Sequence, residues 1–256
     1  MSHSLSENNQ YAIKSGYTHR PAPDYYADNP ERHAEGVIWQ PEVYEIAAGI
    51  AAACGCDTIL DIGCGTASKL VALHPRFRII GVDFGRNLEF CRENYPQGEW
   101  LEADLEQIDS LPIDATKLER AVIVCSDVIE HLIDPMPLLR AIRRLLRNCS
   151  YALISTPDRN LLRGMQDQGP PSNLHHVREW AMPELETLVR SFGIEQKYCG
   201  LTLSNNLSEA RNTILIVAKG TGESFERDLL PPRVPGWWYR GRVVRRSFDV
   251  WRNSIK

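Results

Sequence analysis

The sequence lacks an apolar run long enough to cross a membrane, and its first ten residues are polar, without the apolar core of a signal peptide. It also lacks a strong charge, since the formal net charge is −4 over 256 residues, and it contains no internal repeat or low-complexity tract. These absences predict a globular domain with a full core, without nucleic acid as a partner, and we expect it in the cytoplasm.

The cysteines form no pattern typical of a disulfide framework or a zinc site. Their number is odd, at seven, and several fall in predicted core strands and helices. Cys54 and Cys56 are separated by one residue, unlike the pairs of zinc sites, and no second pair follows. We interpret the cysteines as buried reduced thiols.

The chain does contain a buried-strand pattern that runs into a glycine-rich turn, at residues 58–66. Gly63 and Gly65 allow a sharp bend and a close backbone approach to a ligand. Asp61 precedes the first glycine by two positions, and Ser68 stands where a third glycine would be. A pyrophosphate at this place disfavours a carboxylate. The acid instead favours a ligand with a cationic part, such as the methionine end of S-adenosylmethionine, over NAD.

Strand and helix patterns alternate through the rest of the core. Strands are predicted at about 57–62, 77–83, 99–102, 121–125, 151–156, 194–199 and 213–218. Helices are predicted at about 41–54, 67–73, 87–93, 137–147 and 182–192. This order predicts a doubly wound α/β fold with a mostly parallel sheet and an antiparallel last strand. We expect the first helix to pack against the edge of the sheet.

Carboxylates stand at or just after the ends of four predicted strands, where open α/β sheets bind ligands. These residues are Asp61, Asp83, Asp104 and Asp127. Asp83 lies at the place where an acid accepts hydrogen bonds from both ribose hydroxyls, a feature shared with NAD-binding sheets. Asp104 is in the right order to accept from an adenine amino group, and its alternative role is a helix N-cap.

These residues resemble the class I S-adenosylmethionine-dependent methyltransferases, especially the branch with O-methyltransferases of ubiquinone biosynthesis and of glycan and natural-product pathways. The stretches that carry the resemblance are Leu60–Gly65, Gly81–Asp83, Ala103–Asp104, Asp127–Pro135 and Ile154–Pro157. The resemblance covers about residues 57–220 and implies a Rossmann-like sheet of seven strands. Together with the carboxylates and the glycine turn described above, the resemblance leads us to expect ten cofactor-binding residues: Asp61, Gly63, Cys64, Gly65, Asp83, Phe84, Asp104, Leu105, Ser126 and Asp127.

Methyl transfer to a hydroxyl requires an aligned acceptor and removal of its proton. Histidine is the natural base near neutral pH, and the candidates are His131, His175 and His176, each with a structural role as its alternative. A divalent cation held by Asp127 and Asp158 is a less favoured option, so we predict no metal. We expect the acceptor to be a hydroxyl of a small molecule or sugar. The alternatives are an NAD(P)-dependent oxidoreductase and a relative that binds the cofactor without transferring methyl.

Three parts are predicted along the chain: an N-terminal arm or lid at 1–40, the cofactor-binding domain at 41–220, and a basic aromatic extension at 221–256. The tyrosines of the arm either cover the cofactor or belong to a loosely packed segment; they are Tyr11, Tyr17, Tyr25 and Tyr26. The extension favours docking on the core or on another subunit, as in a homo-oligomer, over a membrane-surface patch or a nucleic-acid contact.

Overall fold

The computed structural model describes residues 10–23, 36–108, 111 and 113–231. Its helices are α1 (Pro41–Ala53), α2 (Ser68–Val71), α3 (Gly85–Asn94), α4 (Met136–Leu145), α5 (Arg159–Arg163) and α6 (Met182–Ser191). Its strands are β1 (Thr58–Ile62), β2 (Arg78–Asp83), β3 (Glu99–Glu102), β4 (Ala121–Ser126), β5 (Tyr151–Pro157), β6 (Gln196–Thr202) and β7 (Thr213–Lys219). The predicted contacts of Tyr25, Tyr26 and the basic aromatic residues 232–256 lie outside the described residues.

The seven strands form one sheet in the order β3-β2-β1-β4-β5-β7-β6. Strands β1 to β5 pair in parallel, whereas β7 is antiparallel to both β5 and β6. The predicted α/β class and the antiparallel last strand are therefore confirmed. Because β1 lies between β2 and β4, the strand order reverses there, and the crevice beyond the carboxyl ends of β1 and β4 is the expected ligand site.

Helix α1 packs across the face of the sheet, on β4, β1 and β5, and not against its edge as predicted. The reason is its composition: eight of its 13 residues are buried, and an edge position would leave many of them in water. Its alanines also allow a close approach to the strands. This position carries Tyr44 to the interior beneath the carboxyl end of β1.

Two other elements differ from the prediction. Strand β6 begins at Gln196 and continues to Thr202, later than 194–199, with an irregular register near its start. Helix α5 was not predicted, and Asp158 explains it. The Asp158 carboxylate accepts from the amide of Leu161 at 3.0 Å and from that of Met182 at 2.9 Å, so one buried side chain caps both α5 and α6.

The described part of the N-terminal arm packs on residues 158–181. The Trp180 indole donates to the Tyr11 carbonyl at 3.0 Å, and the Arg20 amide donates to the Val177 carbonyl at 2.8 Å. Tyr17 is buried and its hydroxyl accepts from the Glu179 amide at 3.0 Å. The arm therefore packs directly against residues 175–180 and covers part of their surface.

All seven cysteines are free thiols. Among the described residues, no helix has the length and apolar character needed to span a bilayer.

Candidate functional site

The loop that follows β4 packs directly on the glycine turn. Gly63 has a φ of +76°, and a Cβ built there would lie 2.5 Å from Cγ2 of Val128. Only glycine fits this position, both for its backbone conformation and for the space. The amide of Gly65 donates to the Asp83 carboxylate at 2.8 Å, which fixes the turn against the end of β2.

Asp61 is a buried carboxylate with an incomplete set of partners. The Tyr44 hydroxyl donates to its Oδ2 at 2.7 Å, while Oδ1 has no hydrogen-bond partner in the described part of the chain. Burial raises the pKa of Asp61 to about 6, although the Tyr44 hydroxyl and the Lys69 ammonium both lower it. A carboxylate left in this state is suited to receive a cation from outside the chain.

Lys69, in the short helix after the glycine turn, is a site residue that sequence reasoning missed. Its ammonium donates to the Trp39 carbonyl at 3.1 Å and lies 4.7 Å from the centre of the Tyr44 ring. Burial lowers the pKa of Lys69, while the carboxylates of Asp127, Asp61 and Glu130 oppose this change. The ammonium thus stands among the carboxylates of β1 and of the loop after β4.

The residues predicted to contact ribose and adenine lie at the ends of β2 and β3. Asp83 accepts from the amides of Gly65 and Phe84, each at 2.8 Å, and a carboxylate oxygen accepts more than one hydrogen bond. Asp104 accepts from the Glu106 amide at 2.9 Å and so caps a turn, although no helix follows. Cys64 and Leu105 are buried, whereas Phe84 is exposed at the rim.

Gln40 connects the residues at the end of β4. Its side-chain oxygen accepts from the hydroxyls of Ser126, at 3.0 Å, and Ser155, and its amide nitrogen donates to Asp127. Asp127 has a φ of +57°, in the left-handed region that few residues adopt. No motif identifies Gln40, because only the packing of α1 on the sheet brings it to β4 and β5.

The three candidate histidines come together, although 44 positions separate His131 from His175 along the chain. The rings of His131 and His176 are perpendicular, with centres 4.8 Å apart. Nδ1 of His131 lies 3.0 Å from the His175 carbonyl, and Nδ1 of His176 lies 2.8 Å from Oε1 of Glu179. The Val177 amide, which donates to the Glu130 carbonyl at 2.8 Å, holds the two segments together.

Burial changes the acid–base properties of this cluster. Burial, and next the neighbouring His176, lower the pKa of His131 to about 3, which makes it a weak general base at neutral pH. Glu130, which sequence reasoning did not single out, is completely buried. Burial, and next the carboxylate of Asp127, raise the pKa of Glu130 well above its usual range. Asp158 caps two helices and lies outside the group of ionisable side chains that is able to hold a metal.

Comparison with known proteins gives the same class as the fold and the site. A family profile described as a methyltransferase domain matches residues 20–199. A probable S-adenosylmethionine-dependent methyltransferase of Mycobacterium tuberculosis is 31% identical over 186 residues, which are 71% of this chain and 62% of that protein. A ubiquinone biosynthesis O-methyltransferase of Coxiella burnetii is 27% identical over 106 residues, 40% of this chain and 44% of that protein. This chain thus spans less than two thirds of the length of these relatives.

Among solved structures, an S-adenosylmethionine-dependent methyltransferase from Aquifex aeolicus has a TM-score of 0.50 at 17% identity. The match covers 75% of this chain and 93% of that one, and it supports the fold alone.

The chain belongs to the S-adenosylmethionine-dependent methyltransferases, because the family profile covers well over half of it. Its cofactor is S-adenosylmethionine, and the oxidoreductase alternative is wrong. The residues fit this cofactor on the evidence of the site itself: the unpartnered oxygen of Asp61 is a buried anionic atom beside the glycine turn, where a cationic amino group would complete it.

Proposed function

We propose that this protein transfers a methyl group from S-adenosylmethionine to a hydroxyl of a small molecule or sugar. The observation that carries the proposal is the cluster of histidines and carboxylates beyond the end of β4, beside the glycine turn. Deprotonating a hydroxyl requires polar groups of this kind, whereas a more nucleophilic acceptor requires fewer of them.

The cofactor site assigns a separate task to each charged side chain. Asp61 holds the ammonium of the methionine part through its unpartnered oxygen. Lys69, whose ammonium interacts with Asp61 and Asp127, suits the methionine carboxylate. Asp83 holds the ribose hydroxyls, and Asp104 accepts from the adenine. When bound, the cofactor supplies a methyl group on a positively charged sulfur, which is an activated leaving group.

The burial of the candidate acceptor-site residues favours a small acceptor group. Glu130 is fully buried, and His176 is 7% exposed, so only a slender group such as an alcohol reaches them. The name of the Coxiella burnetii relative, a ubiquinone biosynthesis O-methyltransferase, also favours oxygen as the acceptor atom. His131 and His176 contact their neighbours through Nδ1, so Nε2 is the atom of each ring that would meet an acceptor, and at His176 the acceptor would replace the Asn173 amide 2.9 Å away.

Two measurements test the proposal. Calorimetry with S-adenosylhomocysteine should show binding to the wild-type protein. Mass spectrometry after incubation with S-adenosylmethionine and a panel of sugars, catechols and polyols should then show an added methyl on oxygen. Methylation of amines alone would refute the choice of acceptor atom. Tight cofactor binding with no product from the whole panel would favour the binding-only relative.

A further inference from the structure

Glu130 is a buried acid with few polar groups to stabilise it. The side chain has no exposed surface, and neither of its carboxylate oxygens makes a hydrogen bond of good geometry within the described residues, although the Asp127 carboxylate and the Thr156 hydroxyl lie close enough to influence its pKa. Burying a carboxyl group without partners costs free energy, and binding a ligand would recover part of that cost. His131 and His176 are its neighbours, and one ligand atom from each of the three residues lies within 4.8 Å of the others.

The geometry and the residue types suit a metal ion. Three ligand atoms bonded at about 2.0–2.2 Å on one side of a cation lie roughly 3.0–3.6 Å from one another. The separations in the cluster, which reach up to 4.8 Å, therefore have to shorten by up to about 1–2 Å as the side chains close around an ion. Two imidazoles and one carboxylate on one side of an ion, with positions left open on the other, form a common site for divalent transition metals. We propose that Glu130, His131 and His176 bind a divalent first-row cation such as Mn²⁺ or Zn²⁺.

The groups behind the histidines are those that a metal site requires. A ligating imidazole usually donates its second N–H to a carbonyl or carboxylate, which fixes the ring and its tautomer. Nδ1 of His131 faces the His175 carbonyl at 3.0 Å, and Nδ1 of His176 faces Glu179 at 2.8 Å. Glu179 is held in turn by an ion pair with Arg163 at 3.1 Å. With Nδ1 engaged in this way on both rings, Nε2 is the atom of each that binds the ion.

One neighbour has to move when the ion binds. The side-chain nitrogen of Asn173 lies 2.9 Å from Nε2 of His176, so its amide donates to the lone pair that the metal takes. Asn173 belongs to the loop before α6 and is exposed, so its side chain can turn into water, although this breaks the hydrogen bond that its Oδ1 accepts from the His175 amide at 3.0 Å. Asp127, whose carboxylate interacts with Glu130, adds negative charge next to the cluster.

The ion would bind the hydroxyl of the acceptor directly, and this part of the inference rests on the proposed function. A metal with open positions binds a hydroxyl and a neighbouring oxygen together, which favours an acceptor with vicinal oxygens. The bound hydroxyl loses its proton to solvent more easily. Its oxygen then forms a bond with the methyl carbon, and the carbon–sulfur bond breaks with its electron pair on sulfur.

Binding is tested first, without any acceptor. Tag-free protein is dialysed against EDTA and then against buffer, and Mn²⁺ is titrated in while free Mn²⁺ is followed by electron paramagnetic resonance. We expect saturation at one ion per chain and displacement by Zn²⁺. E130Q and H131N should weaken binding by about 100-fold or more, since even the loss of an outer partner costs about 10–100-fold. The matched controls E119Q and H74N, at exposed residues before the amino ends of β4 and β2, should bind like wild type.

Circular dichroism and thermal unfolding show whether each variant is folded, and the glutamine of E130Q has nearly the shape of glutamic acid. Absence of stoichiometric Mn²⁺ and Zn²⁺ binding at millimolar concentration would overturn the site. Equal binding by wild type and both folded ligand variants would do so as well.

Methyl transfer is the second readout, and it separates the two proposals. If the protein methylates a diol, EDTA should abolish turnover and Mn²⁺ should restore it. Unchanged turnover in EDTA would overturn the role of the ion while the proposed function stands. Stoichiometric Mn²⁺ binding that E130Q abolishes, without product from any hydroxyl, would leave the site in place and count against the proposed function alone.

Discussion

Replacing Asp61 by asparagine should make the protein without its cofactor more stable while it removes cofactor binding. The side chain is 1% exposed, and its pKa is raised from 3.8 to about 6, first of all by burial. Since one pKa unit is worth about 1.36 kcal/mol, keeping Asp61 ionised in the folded state costs about 3 kcal/mol. Asparagine has the same shape and can still accept from Tyr44, so we expect a gain of about 1–3 kcal/mol at neutral pH.

The pH dependence identifies the cause of this gain. Because the pKa is higher in the folded protein, the folded state binds a proton more tightly than the unfolded state between about pH 4 and 6. The contribution of Asp61 to stability therefore falls as the pH rises through this window and is constant above it. The asparagine of the D61N variant does not titrate. The advantage of that variant should be close to zero near pH 4 and complete above pH 6.

Urea unfolding of the wild type and D61N from pH 4 to 8 measures the difference, and D57N is the control. Asp57 is an exposed carboxylate before the amino end of β1, so its replacement should produce no gain. Calorimetry with S-adenosylhomocysteine should show a loss of about 2–5 kcal/mol for D61N, as for a charge that loses its buried partner. A D61N protein that is no more stable than wild type at pH 7–8, or whose advantage does not shrink toward pH 4, would refute the account of Asp61 as a destabilising buried anion.

Other variants examine the same pocket. G63A should destabilise the protein by more than G55A, because the new methyl group at 63 lies 2.5 Å from Val128 in the loop after β4, whereas that at 55 meets nothing within 4 Å. G55A costs roughly 1–2 kcal/mol for its backbone conformation alone. Equal urea midpoints for the two variants would contradict the steric argument. Y44F removes a hydrogen bond that lowers the pKa of Asp61, so the pH at which S-adenosylhomocysteine binding is half lost should rise; an unchanged calorimetric pH profile would count against it. D83N should weaken that binding by about 10–100-fold through loss of a charged acceptor, and equal affinity would remove Asp83 from the ribose site.

The strands could be predicted closely because their patterns are local. Apolar runs bounded by glycine, proline or polar residues define β1, β2, β4 and β5 within about one residue. Helix α1 was found for the same reason, but its place on the sheet face depends on which strands lie nearby, and periodicity contains no such information. Helix α5 is too short for a periodic signal, and its start depends on an aspartate whose capping partners are visible only in the fold.

The candidate site likewise contains residues that local sequence patterns identify and residues that only the fold brings together. Asp61, Gly63 and Asp83 are found from the sequence because each occupies a fixed place relative to one strand end. Glu130 is different, since its meaning depends on His176, which reaches it only because the Val177 amide pairs with the Glu130 carbonyl. The sequence therefore presents His131 apart from the pair His175 and His176, each as a candidate base, whereas in the fold His131 and His176 belong to one cluster with a buried acid. Which of these residues bind cofactor, metal or acceptor stays a prediction.

The carboxyl groups around Lys69 outnumber the cations that the described residues place beside them. Asp127, Asp61 and Glu130 all act on the Lys69 ammonium, so three carboxyl groups share one lysine. Folding alone would favour neutral residues at such buried positions, as the expected stability of D61N illustrates. A sulfonium cofactor and a divalent cation repel each other when they bind side by side, and only surplus negative charge nearby offsets that repulsion. In the two proposals, Asp61 receives the cofactor's ammonium and Glu130 the ion, so a cation in one site would not take the partner that the other requires.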